Sequence, residues 1–233
     1  MRLVGWNANH NNRKRTLEDN VSLLSAFHAD VLVVSETAAP SDTNPTGAVW
    51  NGMPGWPGLA VIARHGLSLE PHPANQLSPP LMAGFRVRGH VDFNLLAVWP
   101  VQREGGLRYA QTLHAGLERY SDLLSDRAIM AGDLNSSTKV SGQQATHPRF
   151  VSAAAALGLA SAYHHLTGEE HGAETLNTYR HDASRSFHLD YCFLSRSLLD
   201  AANLGIANGG EWRALSDHSP VVLDVPDALL APY

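Results

Sequence analysis

Cysteine is nearly absent from this chain. Cys192 is the only one, set inside an apolar run, so no internal disulfide can form. A lone cysteine of this kind fits a reducing compartment and reads as a small buried core residue rather than a nucleophile. Basic residues are also few: 17 lysines and arginines stand against 22 acids, for a formal net charge of −5. That balance argues against a surface built to grip long nucleic acid through phosphate contacts alone. No apolar run approaches the length of a membrane span. The N-terminal stretch Met1-Arg2-Leu3-Val4-Gly5-Trp6-Asn7 turns polar too early for the apolar core of a secretory leader. The expected location is cytoplasmic, with no membrane partner. No Pro/Gly/Ser-rich linker, fixed-period repeat or low-complexity tract divides the sequence, so residues 1–233 read as one domain. The hydrophobic fraction of 44% is ordinary and leaves enough for a sizeable core.

What is present centres on Arg127-Ala128-Ile129-Met130-Ala131-Gly132-Asp133-Leu134-Asn135. A short apolar run reads as a buried strand, and Gly132 allows either a close approach or a backbone angle that a Cβ forbids. In extended chain, residues two apart point the same way, so Asp133 and Asn135 can converge at the strand end. An acid beside an amide suits a hard cation with its water, or a phosphoryl oxygen. Taken alone, this stretch is better explained by an Asx-rich turn that merely closes the strand.

Read in order, Arg2 to Ala8 is a first strand ending in Trp6-Asn7-Ala8-Asn9, where Asn7 and Asn9 repeat the same spacing. Thr16 reads as the N-cap of a helix to about His28, with Leu17, Val21, Leu24 and Phe27 on its apolar face. Asp30 to Thr37 is a second strand carrying Glu36, which alone could equally be the first residue of a solvated loop. A long loop, 38–58, precedes strands at Leu59–Arg64, Leu67–Leu69, Gly84–Arg88 and Val91–Trp99, whose closeness suggests antiparallel pairing. Gly105 to Leu124 has a helical pattern with Leu107, Tyr109, Leu113, Leu117, Tyr120 and Leu124 on its apolar side. After the central strand come a polar loop, Ser136–His147, and an alanine-rich helix from Pro148 to about Leu157, stopped by Gly158. Residues 163–186 read as irregular. Phe187–Ser195 is a strand with Asp190 at its middle. A short helix, a strand near Leu204–Ala207 and a last strand, Pro220–Val225, close the chain.

Five polar signals sit at strand ends: Trp6-Asn7, Ser35-Glu36, Gly132-Asp133-Leu134-Asn135, Leu189-Asp190-Tyr191 and Ser216-Asp217-His218. Each is weak alone. In order, type and spacing they resemble the endonuclease/exonuclease/phosphatase superfamily, the group that includes DNase I and exonuclease III. Asn177-Thr178-Tyr179-Arg180 leading to Phe187-His188-Leu189-Asp190-Tyr191 is similar to small bacterial exonuclease III-like members. The resemblance runs from the first strand to the last. It implies an α/β fold, a four-layer sandwich of two mixed β-sheets face to face with helices outside. It also implies a monomer that hydrolyses phosphodiester bonds, in DNA or RNA, with Mg²⁺ or else Mn²⁺.

By position in that pattern, Glu36 would be the main metal ligand, with Asn7 and Asp217 beside the metal. Asp133 would orient or deprotonate the attacking water, and Asn135 would hold the water or a phosphate oxygen. His218 would contact the phosphoryl oxygens, oriented by Asp190. Substrate contacts are expected from Asn9, Arg13, Trp99, Arg180 and His188, and Lys14 and Arg15 should share the rim with Arg13. A metal and an imidazolium suit charge building on a phosphoryl group, and a carboxylate beside a histidine fixes its tautomer and favours its protonated form.

Two departures stand out. Asn9 occupies a position where relatives usually carry an acid, so shared or second-metal binding there is in question. Trp99 ends the Val91–Trp99 strand, where relatives often carry tyrosine or histidine. Its indole N–H can reach a phosphate oxygen but cannot protonate a leaving group, which leaves the general acid unassigned. Among the other histidines, His164 and His165 are adjacent and would point apart in extended chain, so no histidine metal site is expected. The competing readings are a small-molecule phosphodiesterase or phosphomonoesterase on the same fold, and a non-catalytic binding module. Against the latter stands the complete set Glu36, Asp133, Asn135, Asp190, Asp217 and His218.

Overall fold

Strand-forming runs buried on both faces dominate this chain, and they stack into the centre of the molecule. The structure is a computed structural model that describes residues 1–53, 55–77, 82–102 and 108–232. The chain opens with β1 (Arg2–Asn7), a short α1 (His10–Arg13), α2 (Leu17–Leu24), β2 (Val31–Thr37), β3 (Val49–Asn51) and β4 (Gly58–Ala63). Next come β5 (Ser68–Pro71), β6 (Met82–Arg88), β7 (Phe93–Val98), α3 (Tyr109–Arg119), β8 (Ala128–Asp133) and α4 (Thr146–Ala156). Then follow β9 (Leu159–Ser161), α5 (Ala162–Thr167), the strands β10 (Tyr179–Arg180) and β11 (Ser186–Phe187), and β12 (Asp190–Ser195). The remaining elements are α6 (Arg196–Leu199), β13 (Asn203–Ile206), α7 (Gly210–Leu215) and β14 (Val221–Asp224).

Two six-stranded sheets form, ordered β13-β14-β1-β2-β4-β3 and β5-β6-β7-β8-β12-β9, beside a small β10-β11 hairpin. Both are mixed. β1 runs parallel to β2 and β7 parallel to β8, whereas the other pairings in the two sheets are antiparallel. Alternation along each strand builds three apolar seams. Leu3, Val31 and Val33 of the first sheet meet Phe85, Leu95, Ile129 and Ala131 of the second between the sheets. Val4, Trp6, Leu32 and Val34 face outward onto Leu17 and Leu24 of α2 and Trp212 of α7. Leu96, Met130 and Phe193 face the other way, onto Leu113 and Leu117 of α3 and Phe150 of α4. The layers are therefore helix, sheet, sheet, helix. Among the described residues, no helix is long and apolar enough to cross a membrane.

Local chemistry accounts for several boundaries. Thr16 caps α2 in a reciprocal box: its hydroxyl accepts from the Asp19 N–H, and the Asp19 carboxylate accepts from the Thr16 N–H. The helix then tightens into a 3₁₀ turn, Ser25–Phe27, short of His28. The strands expected between Leu59 and Trp99 do pair antiparallel, β4 with β2 and β3 in the first sheet and β6 with β5 and β7 in the second. The helix expected over Gly105–Leu124 spans Tyr109–Arg119, and the Gly105–Leu107 part of that expectation lies outside the described residues. The region 163–186 is not wholly irregular, since α5 starts at Ala162. His164 and His165 are thus neighbours on a helix, not on extended chain. Asp190 begins β12 and does not sit mid-strand.

Gly132 sits at φ +139°, and a Cβ there would meet the Val98 carbonyl oxygen of the parallel neighbour β7 at 2.0 Å. The freedom this glycine supplies is spent on strand packing behind Asp133. Gly132→Ala must displace a buried backbone carbonyl as well as adopt an unfavourable angle. It should lower stability by about 2 kcal/mol or more, read as the shift in a urea denaturation midpoint. An unchanged midpoint would mean that the strand pair yields freely.

Candidate active site

Asn7, Glu36, Asp133, Asn135, Asp190 and Asp217 converge with His218 where the two sheets expose the ends of β1, β2, β8 and β12. β1 and β8 finish in the same way. The Asn9 N–H donates to Asn7 Oδ1 at 2.9 Å, and the Asn135 N–H donates to Asp133 Oδ1 at 2.8 Å. Asn9 and Asn135 both sit in the left-handed region, at φ 51° and 48°. Each strand thus closes in an Asx turn, and the turn and the polar convergence are one feature. The convergence does not follow extended-chain alternation, because the second residue of each pair has left the strand.

Glu36 reaches the cleft by another route. β2 pairs Val34 with Ala60 but Thr37 with Gly58, so one extra residue bulges in between. Glu36 takes φ 49° there, a costly angle for a non-glycine residue and a common device for aiming a side chain into a site. Its carboxylate accepts from Asn11 Nδ2 at 3.0 Å. It is not the first residue of a solvated loop.

Two hydrogen bonds cross from one sheet to the other. Asn7 Nδ2 donates to Asp133 Oδ2 at 2.9 Å, and His218 Nδ1 lies 2.7 Å from Asp190 Oδ2. His218 Nε2 stands 4.0 Å from Asp133 Oδ2, too far for a hydrogen bond. The histidine backbone is held on both sides: Ser216 Oγ donates to the Asn7 carbonyl, the His218 N–H donates to Ser216 Oγ, and Trp6 Nε1 donates to the His218 carbonyl. Thr178 Oγ1 accepts the Leu189 and Asp190 N–H groups at 3.0 Å each. Asp190 Oδ1 has no hydrogen-bond partner among the described residues.

Burial sets the charge state of this cluster. It pushes the Asp133 carboxyl up, and the Asp190 carboxylate pushes it further, to about 7. For His218 burial acts downward, but Asp190 and Asp133 outweigh it and raise the imidazole to about 9. Glu36 is raised by burial and by Asp217, against the Asn7 amide and the positive His218.

A cleft of about 430 Å³ collects Asn7, Glu36, Asn135, Asp217 and His218. Sequence reading misses Tyr109 and Tyr179, which also line it. Tyr109 counts there with the apolar face of its helix, and nothing in the spacing sets it apart. Its hydroxyl pKa is raised by burial and then by Asp133 and Glu36. Tyr179 packs its ring 4.7 Å from that of His218. A second compartment of about 560 Å³ shares Glu36, Tyr109 and Asn135 and adds Met53, Trp56 and Trp99.

The expected substrate rim needs correction. Asn9 does line the cleft, but its Oδ1 accepts from Asn12. Trp99 lines the second compartment. Arg13 is exposed and is not among the cleft-lining residues, where Asn12 of α1 stands instead. Arg15 turns inward, donating to Asn20 Oδ1 and to the Ala8 and Leu215 carbonyls. Arg180 braces the histidine loop from behind, donating to the Ser216 carbonyl and Ser219 Oγ. His188 is buried under the strand end, with Nδ1 on the Leu176 carbonyl. Arg185 and His181 reach the rim in their place.

No protein-family profile matches the chain, and no curated protein matches it by sequence. Solved structures do match. The 3′ phosphatase NExo from Neisseria, bound to a product DNA hairpin, superposes with TM-score 0.73 at 19% identity, covering 97% of this chain and 99% of its own. The endonuclease domain of TRAS1, a telomere-specific non-LTR retrotransposon, gives 0.72 at 16% identity over 97% and 98%. An AP endonuclease from Archaeoglobus fulgidus gives 0.67 at 17% identity over 97% and 99%. The chain has the four-layer sandwich fold of these structures.

Proposed function

We propose that the chain acts, as a single domain, as a divalent-metal-dependent phosphodiesterase on nucleic acid. The observation that carries this reading is the buried Asp190–His218 pair, 2.7 Å apart, facing Asp133 in a cleft that also holds Glu36 and Asp217. NExo and the Archaeoglobus AP endonuclease share the fold, and NExo holds a product DNA hairpin.

The donor set fits a hard cation. Glu36 and Asp217 repel one another across the cleft, and both offer carboxylate oxygens of the kind that Mg²⁺ prefers. Asn7 turns Nδ2 toward Asp133 and its oxygen toward the Asn9 N–H, so it organises the carboxylates more than it ligates. A bound Mg²⁺ would supply Lewis-acid stabilisation of phosphoryl charge. The protein's own groups supply the rest. His218, positive up to about pH 9, presents Nε2 to the phosphoryl oxygens while Asp190 fixes its ring through Nδ1. Asp133 takes a proton from, or orients, the attacking water, and Asn135 holds the water or a phosphate oxygen. Tyr109, over the same cleft, is the hydroxyl placed to donate to the leaving oxygen. The compartment of Trp56 and Trp99 offers aromatic faces beside the acids, which suits a base next to the scissile phosphate. This aromatic contact can supply affinity that the acidic net charge does not.

A second reading has support from one neighbour: NExo is described as a 3′ phosphatase, so monoester removal from a 3′ end competes with diester cleavage. Duplex DNA, RNA, abasic-site DNA, 3′-phosphate-ended DNA and bis-p-nitrophenyl phosphate, each with Mg²⁺, Mn²⁺ or EDTA, separate the two. Full turnover in excess EDTA, or no turnover on any of these substrates with metal, sinks the reading.

Three outcomes are expected. Glu36→Gln abolishes most metal-dependent turnover, about a hundredfold or more. His218→Ala costs on the order of a hundredfold or more in kcat, and adding Asp190→Asn costs little further, because both act on one phosphoryl contact. Multiplicative losses would give Asp190 a separate role. In metal-free protein, the raised His218 and Asp133 both favour the protonated folded state. Their stabilisation is complete below the unfolded pKa values and is lost as pH rises through about 7 for Asp133 and about 9 for His218. Thermal midpoints should therefore fall from about pH 4 to about pH 9, and His218→Ala should flatten the part of that decline above about pH 6.5. A histidine NMR titration near 6.5 for His218 would contradict it.

A further inference from the structure

Outside the cleft, another compartment gathers imidazoles around a buried carboxylate. His164 on α5, with His171 and Glu174 in the segment after it, each places a ligand atom within 4.8 Å of the others. The His164 and His171 rings stack with centroids 3.6 Å apart. Glu174 Oε1 lies 3.3 Å from His164 Nε2 and accepts the Gly172 N–H at 2.8 Å. The side chain of Glu174 is fully buried, and its Oε2 accepts no hydrogen bond from the described residues, with the Lys139 ammonium 3.7 Å away. His188 adds a second group of this kind. Its Nδ1 is committed to a carbonyl, which can only accept, so the neutral ring leaves a bare Nε2 lone pair, buried and without a partner among the described residues.

The outer contacts are arranged consistently. His164 Nδ1 meets Ser161 Oγ at 2.8 Å, and His171 Nδ1 meets His147 Nε2 at 3.2 Å. His147 Nδ1 in turn meets Ser136 Oγ at 3.0 Å. His164, His171 and His188 are each tied back through Nδ1, which leaves Nε2 as the edge open to a ligand. This is the pattern in which outer hydrogen bonds fix the tautomer of metal-binding histidines. Nitrogen donors with a single carboxylate select a borderline transition metal over Mg²⁺.

We propose that His164, His171 and Glu174 bind one divalent ion of the zinc class. The ion replaces the proton shared between His164 and Glu174 and relieves the carboxylate of its half-satisfied burial. Its role is structural. Thr178, in the segment that follows Glu174, holds the Asp190 N–H, so fastening this segment to α5 steadies the partner of His218. His164 and His171 keep partial exposure, which leaves an entry path.

The test is calorimetric and spectroscopic titration of chelator-stripped protein with Zn²⁺ and Co²⁺ alone. One equivalent should bind in Glu36→Gln/His218→Ala protein, whose cleft has lost its main carboxylate and its only imidazole donor close to the acids, with visible Co²⁺ absorption of nitrogen-rich four-coordination and a raised thermal midpoint. His171→Ala and Glu174→Gln should each weaken Zn²⁺ about 100-fold or more, and Ser161→Ala about 10-fold. Equal affinity in both ligand variants, or no binding in Glu36→Gln/His218→Ala protein, overturns the proposal. Should those variants fail to fold, zinc-edge absorption on Zn²⁺-loaded Glu36→Gln protein decides: two or more imidazoles around the ion support the site, and one or none overturns it.

Discussion

Two carboxylates, Asp133 and Asp190, are buried between the sheets at the point where chemistry would occur, and desolvation of that charge constrains everything around it. An isolated buried carboxylate costs several kcal/mol, so the site must supply compensation from within. It does so across the sandwich: Asn7 from the first sheet bonds Asp133 on the second, and His218 before β14 bonds Asp190 on β12. Neither pair can form within one sheet. The registry of the two layers and the geometry of the site are therefore the same quantity. Leu3, Val33, Ile129 and Ala131 pack between the sheets, and their contacts fix the distance that these hydrogen bonds must span.

The histidines show what the paired acids do. Burial lowers an imidazole pKa, and it takes His147 to about 4 and His171 to about 3. His218 is buried too, yet it is driven to about 9 because Asp190 and Asp133 flank it. Two populations of histidine thus coexist in one fold. One cation is made where phosphoryl charge would develop, while burial keeps His147 and His171 neutral. Two carboxylates flank His218, whereas His147 and His171 have only Glu174 acting upward against burial and neighbouring imidazoles.

Much of this was legible in the sequence. Continuous apolar runs such as Val31–Val34 and Ala128–Ala131 announce strands buried on both faces. The N-cap at Thr16 is local chemistry that needs no tertiary help. The strand-end acids were readable as a set only through resemblance, since no periodicity brings Asp190 to His218. What stayed hidden depends on long-range geometry. The bulge that turns Glu36 inward is a mismatch between β2 and β4, not a property of either strand. Tyr109 reads as one more apolar helix residue until the fold places it over the cleft. Arg180 and His188 lie close in sequence to the motif that carries Asp190, but proximity along the chain is not orientation, and both serve behind the site.

The histidine-rich segment shows the same limit at its sharpest. With α5 only six residues long, less than two turns of periodicity are on offer, so there is no helical signal against which to place His164. Treated as extended chain, His164 and His165 diverge and a metal site is dismissed. Placed on a helix, they still diverge: His165 turns outward to Asp200, while His164 turns inward to meet Glu174. The extended chain is incorrect, whereas the separation of the two rings is real. What sequence reasoning lacks is the partner set, because His171 and Glu174 return to α5 through a loop closed by Gly168 and Gly172 at positive φ. Glycine angles thus decide which histidines meet, as Gly132 decides how closely β8 can approach β7 behind Asp133.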